Sequence, residues 1–386
     1  MKRTALLTFV SVGLVLGTVT AINGCSSSSS DAAPANVKRA PAKPSGPATS
    51  DTSTKTFAVQ TLYLGDAPRT GAANPDAWKK FGYDLDGKVT SKDSSDVCQL
   101  PAGAQRIVKE DGDDGIDNSF GHNLLPVILG ASPTAAADLN KQLAKGAFTL
   151  MFTVSGLADG ASQTATGLKG YLNAGSAFDP SGQKSPTFTT ADDWPVIPEL
   201  LSNPSDPTSS KTQFSDAYVV NGTFVNGSDA KITITLGFNG QNLDLNIYKA
   251  VVTFDHKDPS TAANGVIAGI LNTEEFIGGL QRIAGQLQAN LCSGDQLKTI
   301  TDQIRSMSDI MANGTQDPSK TCDGISIGLG FDAKQIMNPT KVGPSGQGTP
   351  TGCGADAGPD GSVAVDSGSP TDAGNDSASP TDAGTD

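Results

Sequence analysis

Two short stretches concentrate the residue types that hold hard cations. One is Asp84-Leu85-Asp86-Gly87, which closes the run Trp78-Lys79-Lys80-Phe81-Gly82-Tyr83. The other reads Glu110-Asp111-Gly112-Asp113-Asp114-Gly115-Ile116-Asp117-Asn118-Ser119-Phe120-Gly121. Calcium takes six to eight oxygen ligands at ~2.3–2.6 Å, and Asp-Gly loops can wrap carboxylates and carbonyls around one ion. Carboxylates crowded this closely repel one another, so a cation is a physical reason to place them together. The candidate ligands are Asp84, Asp86, Asp111, Asp113, Asp114, Asp117 and Asn118, and the ion they suit is calcium. Neither stretch is an EF-hand, because no DxDxDG is followed at the right distance by glutamate. A second reading stays open. Ile116, Phe120 and Leu124 recur at helical spacing, so Asp113, Asp114 and Asp117 would cap or charge the first turn of a helix. Asp84 and Asp86 would then form an ordinary Asx-turn.

Other reactive groupings are sparse. The chain has two histidines, His122 and His256, and no HExxH, P-loop or GxSxG pattern. His122 near Asp117 and Ser119 is the one local Ser-His-Asp grouping; a surface histidine is the plainer account. Trp78, Phe81 and Tyr83 beside Asp84 suit stacking on a sugar ring, but they suit anchoring a core better. Aspartates are so numerous that no pair of them singles out a glycosidase. An extracytoplasmic hydrolase is therefore the weakest of three readings. A non-catalytic interaction or structural module comes first, and a calcium-dependent surface module binding glycan or protein second.

The N-terminus says where such a module works. Lys2 and Arg3 precede a mostly apolar run over 5–19, followed by Ile22-Asn23-Gly24-Cys25 and the serines 26–30. A basic start and a short apolar region make a secretory signal that is removed. The whole resembles a bacterial lipoprotein signal, with Ile22-Asn23-Gly24-Cys25 as its lipobox. The resemblance implies cleavage after Gly24, lipidation of Cys25 and anchoring in the cell envelope. Ser26 after the cysteine favours the outer membrane. Two or more acyl chains hold a protein stably on a membrane. Removal of 1–24 takes two positive charges from a formal net charge of −13 and leaves −15. That charge repels nucleic acid and anionic headgroups, so the membrane partner is reached through the lipid anchor and no nucleic-acid partner is expected.

The elements that must position the acidic loops follow from composition and periodicity. Of the 40 acids, all but Glu110, Glu199, Glu274 and Glu275 are aspartate. That bias favours turns and caps over helix interiors. Residues 25–56 read as a disordered tether and 343–386 as a disordered acidic tail, in which Ser-Pro-Thr-Asp-Ala-Gly occurs twice. The span 57–342 is expected to be a single globular unit. Period-two alternation marks strands at Phe148, Leu150, Phe152 and Val154, and at Ile232, Ile234, Leu236 and Phe238. A third set, Leu243, Leu245 and Ile247, changes phase to Ala250, Val252 and Phe254, which predicts a bulge near Tyr248 and Lys249. Asn239-Gly240 predicts a hairpin; 56–64 and 325–331 supply strands near the ends. Helices are expected from Ser132-Pro133 to Gly146, from Asn272 or Thr273 onward, and from Ser293 to Asn313-Gly314. The fold class is α+β and β-rich: an antiparallel β-sandwich or curved sheet with a C-terminal-side helical hairpin.

Cys98, Cys292, Cys322 and Cys353 remain after lipidation, an even number that suggests two disulfides in an exported chain. A Cys292–Cys322 bond would clip the helical hairpin and leave Cys98 to Cys353. The run 78–87, the run 113–121 and Cys322-Asp323-Gly324-Ile325-Ser326 also resemble a family of uncharacterised lipoproteins from myxobacteria and their relatives. The likeness spans most of 57–331 and implies a single fold and an envelope location, with no known activity.

Overall fold

A computed structural model describes residues 37–102, 110–238, 241–287 and 295–344. The signal segment, Cys25, the Asn239-Gly240 turn, Cys292, Cys353 and the tail from 345 lie outside the described residues. Among the described residues nine strands, β1 (Thr54–Tyr63), β2 (Thr149–Ser155), β3 (Ala165–Gly175), β4 (Thr212–Val220), β5 (Thr223–Val225), β6 (Ala230–Phe238), β7 (Gln241–Asp255), β8 (Thr261–Asn272) and β9 (Gly324–Ile336), form one antiparallel sheet. Sequence neighbours pair almost throughout. The first strand pairs with the last, Phe57 standing opposite Gln335. At the other end β5 pairs with the distal part of β7, Phe224 opposite Phe254. The sheet thus closes into an eight-stranded barrel, and β6 lies against the near half of β7. The β-rich, antiparallel class is as expected, and the curved sheet closes into a barrel instead of forming a sandwich: alternation along each strand is the same in both, and only the β5–β7 and β1–β9 partnerships distinguish them.

An eight-stranded barrel is just wide enough for side chains to fill it or for one small ligand. Here phenylalanines fill it. Phe57, Phe152, Phe214, Phe224, Phe254 and Phe331 are fully buried, with Phe224 and Phe254 stacked at 4.6 Å and Phe152 and Phe331 at 4.8 Å between ring centroids. Phe254 reaches the interior because of the expected bulge. The β7–β8 register shifts between Tyr248 and Val251, and Lys249 takes a left-handed φ of 49°. Leu243, Leu245 and Ile247 before the bulge and Ala250, Val252 and Phe254 after it all join the same core.

Helix α1 (Leu125–Ala131) and helix α2 (Ala135–Lys145) interrupt the β1–β2 connection, and helix α3 (Thr273–Leu287) and helix α4 (Asp295–Ser306) the β8–β9 connection. α2 packs Leu139 and Leu143 on the core and ends at Gly146, whose φ of 78° suits a left-handed cap. α3 starts under an Asn272 cap, Oδ1 accepting Glu275 N–H at 3.0 Å. α4 stops at Ser306, short of the expected Asn313-Gly314, because the chain there turns to pair Ile310 with Gly324. The helix expected through Ile116, Phe120 and Leu124 is instead a 3₁₀ turn (Asp113–Gly115), an extended step and a single π turn (Phe120–Leu124) leading into α1.

Residues 37–53, expected within the tether, run along the outside of the barrel. Thr49 N–H donates to Thr166 O and Thr166 N–H to Pro47 O, and Tyr218 Oη–H donates to Pro41 O. Among the described residues no helix is long and apolar enough to cross a membrane.

Candidate metal centre

Both acidic loops belong to the long β1–β2 connection and are pinned to the outer face of β7, β8 and β9. Tyr83 packs on Val266 and Ala268, and its hydroxyl meets Thr253 Oγ1 at 2.7 Å. Phe81 approaches β9 so closely that a Cβ on Gly328 would lie 2.2 Å from its carbonyl oxygen. Asn118 staples the loops together. Its Nδ2 donates to the carbonyls of Trp78, Phe81 and Gly328, and its Oδ1 accepts Gly121 N–H and Gly328 N–H. Both ends of this amide are thus committed to backbone, and Asn118 serves the loops rather than a cation. Trp78, Phe81 and Tyr83 are buried, which makes them the expected anchors of the loops.

Asp84, Asp86 and Asp117 converge, with one carboxylate oxygen of each within 4.8 Å of the others. Each is oriented by backbone donors. Asp84 Oδ1 accepts Gly87 N–H at 2.7 Å, Asp86 Oδ1 accepts Lys88 N–H at 2.8 Å, and Asp117 Oδ2 accepts Leu85 N–H at 2.6 Å. Asp117 is 2% exposed. Asp111 stands close by, its Oδ2 accepting Thr90 N–H at 2.5 Å. Asp113 and Asp114 point outward and are exposed, so the structure does not bring these two expected ligands into the cluster.

Three participants come from elsewhere in the chain. Arg39 donates through Nε and Nη2 to Asp84 Oδ2 at 3.1 and 2.9 Å. Gln316 Nε2 donates to Asp86 Oδ2 at 2.6 Å. Asp309, held by Ser326 through N–H and Oγ–H, lies close enough to raise Asp111 and Asp117. None carries a local signal: each is a single polar residue in an unremarkable stretch, brought in by the strap before β1 or the segment before β9.

The electrostatics follow from this crowding. Burial pushes the Asp111 carboxyl up to about 8, with Asp86, Asp309 and Asp84 adding to the rise. Burial, then Asp86, Asp111 and Asp309, raises Asp117 well above the usual carboxylate range. Asp86 is raised too, chiefly by burial, although Gln316 and Lys88 pull it back. A donor set made only of carboxylate oxygens suits a hard divalent cation.

The remaining candidates resolve differently. Cys322 pairs with Cys98, Cα atoms 5.1 Å apart, which corrects the expected Cys292–Cys322 and Cys98–Cys353 bonds. The two cysteines meet because Gln99 and Thr321 form a bridge, with Gln99 N–H donating to Lys320 O and Cys322 N–H to Gln99 O. His122 lies flat on Trp78 at 4.0 Å, and Ser119 Oγ–H donates to Met307 O. Among the described residues no hydrogen bond joins His122 to Ser119 or Asp117. His256 is a core histidine, edge-on to Phe57 at 5.3 Å. The chain matches no family model, no curated protein and no solved structure.

Proposed function

We propose that this chain is an exported, lipid-anchored cell-envelope protein whose barrel is a non-catalytic interaction or structural module, with its outer loops locked by one calcium ion. The observation that carries the cation is the convergence of Asp84, Asp86 and Asp117, one carboxylate oxygen of each lying within 4.8 Å of the others. Envelope location and acylation at Cys25 rest on the signal sequence.

Burial of Asp84 and Asp117 favours an ion that shapes the loops over one that bridges to an external glycan, since bridging needs coordination positions open to solvent. The phenylalanine-filled interior supports a scaffold rather than a ligand cup. The test is calorimetric titration of chelator-treated protein with calcium chloride, paired with thermal melting. One site per chain and a raised melting temperature are expected. No heat and an unchanged melting temperature would remove the cation from this reading.

A further inference from the structure

The barrel wall is incomplete where β4 begins. Thr212, its first residue, pairs with Leu172 of β3, but among the described residues β4 and β6 share no backbone ladder. A side-chain bond spans them instead, Thr212 Oγ1–H donating to Lys231 O at 3.2 Å. That carbonyl is turned away from β7, and alternation along an antiparallel strand turns the N–H and C=O of Thr233 the same way. A cavity of about 250 Å3 lies in this gap, between Lys231 and Thr233 of β6, Thr212 of β4 and Asn173 of β3. One polar atom of its lining is unsatisfied. Asn173 is 1% exposed, and its Nδ2 donates to Pro207 O at 2.8 Å, which fixes the orientation of the amide. Its Oδ1 is buried and has no hydrogen-bond partner among the described residues. A buried carbonyl in that state costs stability until a donor reaches it.

We propose that this gap binds a small aliphatic carboxylate with an amide N–H beside its charge, the chemistry of an acylated amino acid or a peptide C-terminus. The site is separate from the acidic cluster and stands whether or not a cation binds there. Each part of the ligand answers to a lining group. The N–H supplies the donor that Asn173 Oδ1 lacks. The carboxylate meets Lys211 and Lys231, which also line the cavity and whose ammonium groups have three donors each. Lys211 Nζ uses one on Glu199 O at 2.8 Å. Lys231 Nζ stands 3.9 Å from Glu275 Oε1 and 4.7 Å from the centre of the Tyr248 ring. The aliphatic group lies on Leu150, Leu172 and Leu200. Water alone would serve the polar groups but leave those leucines facing it. No aromatic ring lines the cavity among the described residues, so it offers no face on which a sugar would stack. The volume lies just below the ~300–1,000 Å3 of sites for drug-sized ligands, which suits one or two residues rather than a long segment. A longer peptide would continue along the outward backbone groups of Thr233, adding a strand to the edge of β6.

The test titrates the isotope-labelled full chain by amide NMR with N-acetyl-L-leucine, with N-acetyl-L-leucine amide, which lacks the charge, and with isocaproate, which lacks the N–H. N-acetyl-L-leucine is expected to shift the Asn173 side-chain amide and the backbone signals of Thr212 and Thr233 saturably. Loss of a charge-assisted hydrogen bond weakens binding by about 10–100-fold, the fall expected for the uncharged probe and for Lys211→Met/Lys231→Met. Loss of a neutral hydrogen bond weakens it by about 2–10-fold, the fall expected for isocaproate and for Asn173→Leu. No saturable shift at these residues, equal affinity for the three probes, or unchanged affinity in the double lysine variant overturns the proposal. Near-ultraviolet circular dichroism reports whether each variant is folded; should one not fold, the three probes on the wild-type chain decide alone. An acetylated tetrapeptide ending in leucine distinguishes the two sources of this chemistry. Tighter binding than N-acetyl-L-leucine marks a peptide C-terminus paired along β6, and equal or weaker binding a free acylated amino acid.

Discussion

The crowded carboxylates should make the chelator-treated protein lose stability as pH rises, against the ordinary behaviour of surface aspartates. Asp111 carries the measurable part. Its carboxyl is pushed up to about 8 in the folded protein, whereas an unfolded aspartate titrates near ~3.9. Between these values the folded form retains a proton that the unfolded form has released. The contribution is fully present below about pH 4 and is lost as pH climbs through about 8. The slope is about 1.4 kcal/mol per pH unit, so Asp111 alone costs about 2.7 kcal/mol between pH 5 and 7. Burial also lowers His122 and His256, which works in the opposite sense below the ordinary histidine range. Comparison with Asp111→Asn cancels that term, and the asparagine keeps an acceptor for Thr90 N–H. Urea unfolding in the presence of chelator can be followed by fluorescence, since Trp78 and Trp194 are both buried. Wild type should lose stability relative to the variant by about 2.7 kcal/mol over those two pH units. Parallel pH profiles for the two proteins would refute the reasoning. Added calcium should stabilise wild type more at pH 8 than at pH 5, because the ion competes with protons for the same oxygens.

Two further outcomes concern the barrel and the anchor. Phe254→Ala, which empties the centre of the aromatic cluster, should cost about 3–5 kcal/mol in chemical denaturation while the cation stoichiometry stays unchanged. Mass spectrometry of the mature protein should find residues 1–24 absent and a diacylglyceryl-modified Cys25; Cys25→Ser should move the protein from the membrane to the soluble fraction, and an unmodified cysteine in the wild type would contradict the lipobox reading.

Much of the local structure is legible in the residue order alone. The strands β2, β6 and β7, the bulge at Lys249, the Asn272 cap and the Gly146 stop are all properties of near neighbours: alternation, phase, a side-chain acceptor, a residue that tolerates positive φ. The same locality made Asp84, Asp86, Asp111 and Asp117 recognisable as a cation candidate. It also swept in Asp113, Asp114 and Asn118, because spacing alone does not say which side chains turn inward. Partnership between distant segments was left to the tertiary structure. Closure of the barrel needs β5 to meet β7 and β1 to meet β9, and alternation is indifferent to that choice. Cys98 finds Cys322 through a backbone bridge, and Arg39, Asp309 and Gln316 reach the cluster only because the strap and the segment before β9 pack on it. A carboxylate declares its charge in the sequence, but its environment is decided by whatever the fold lays against it.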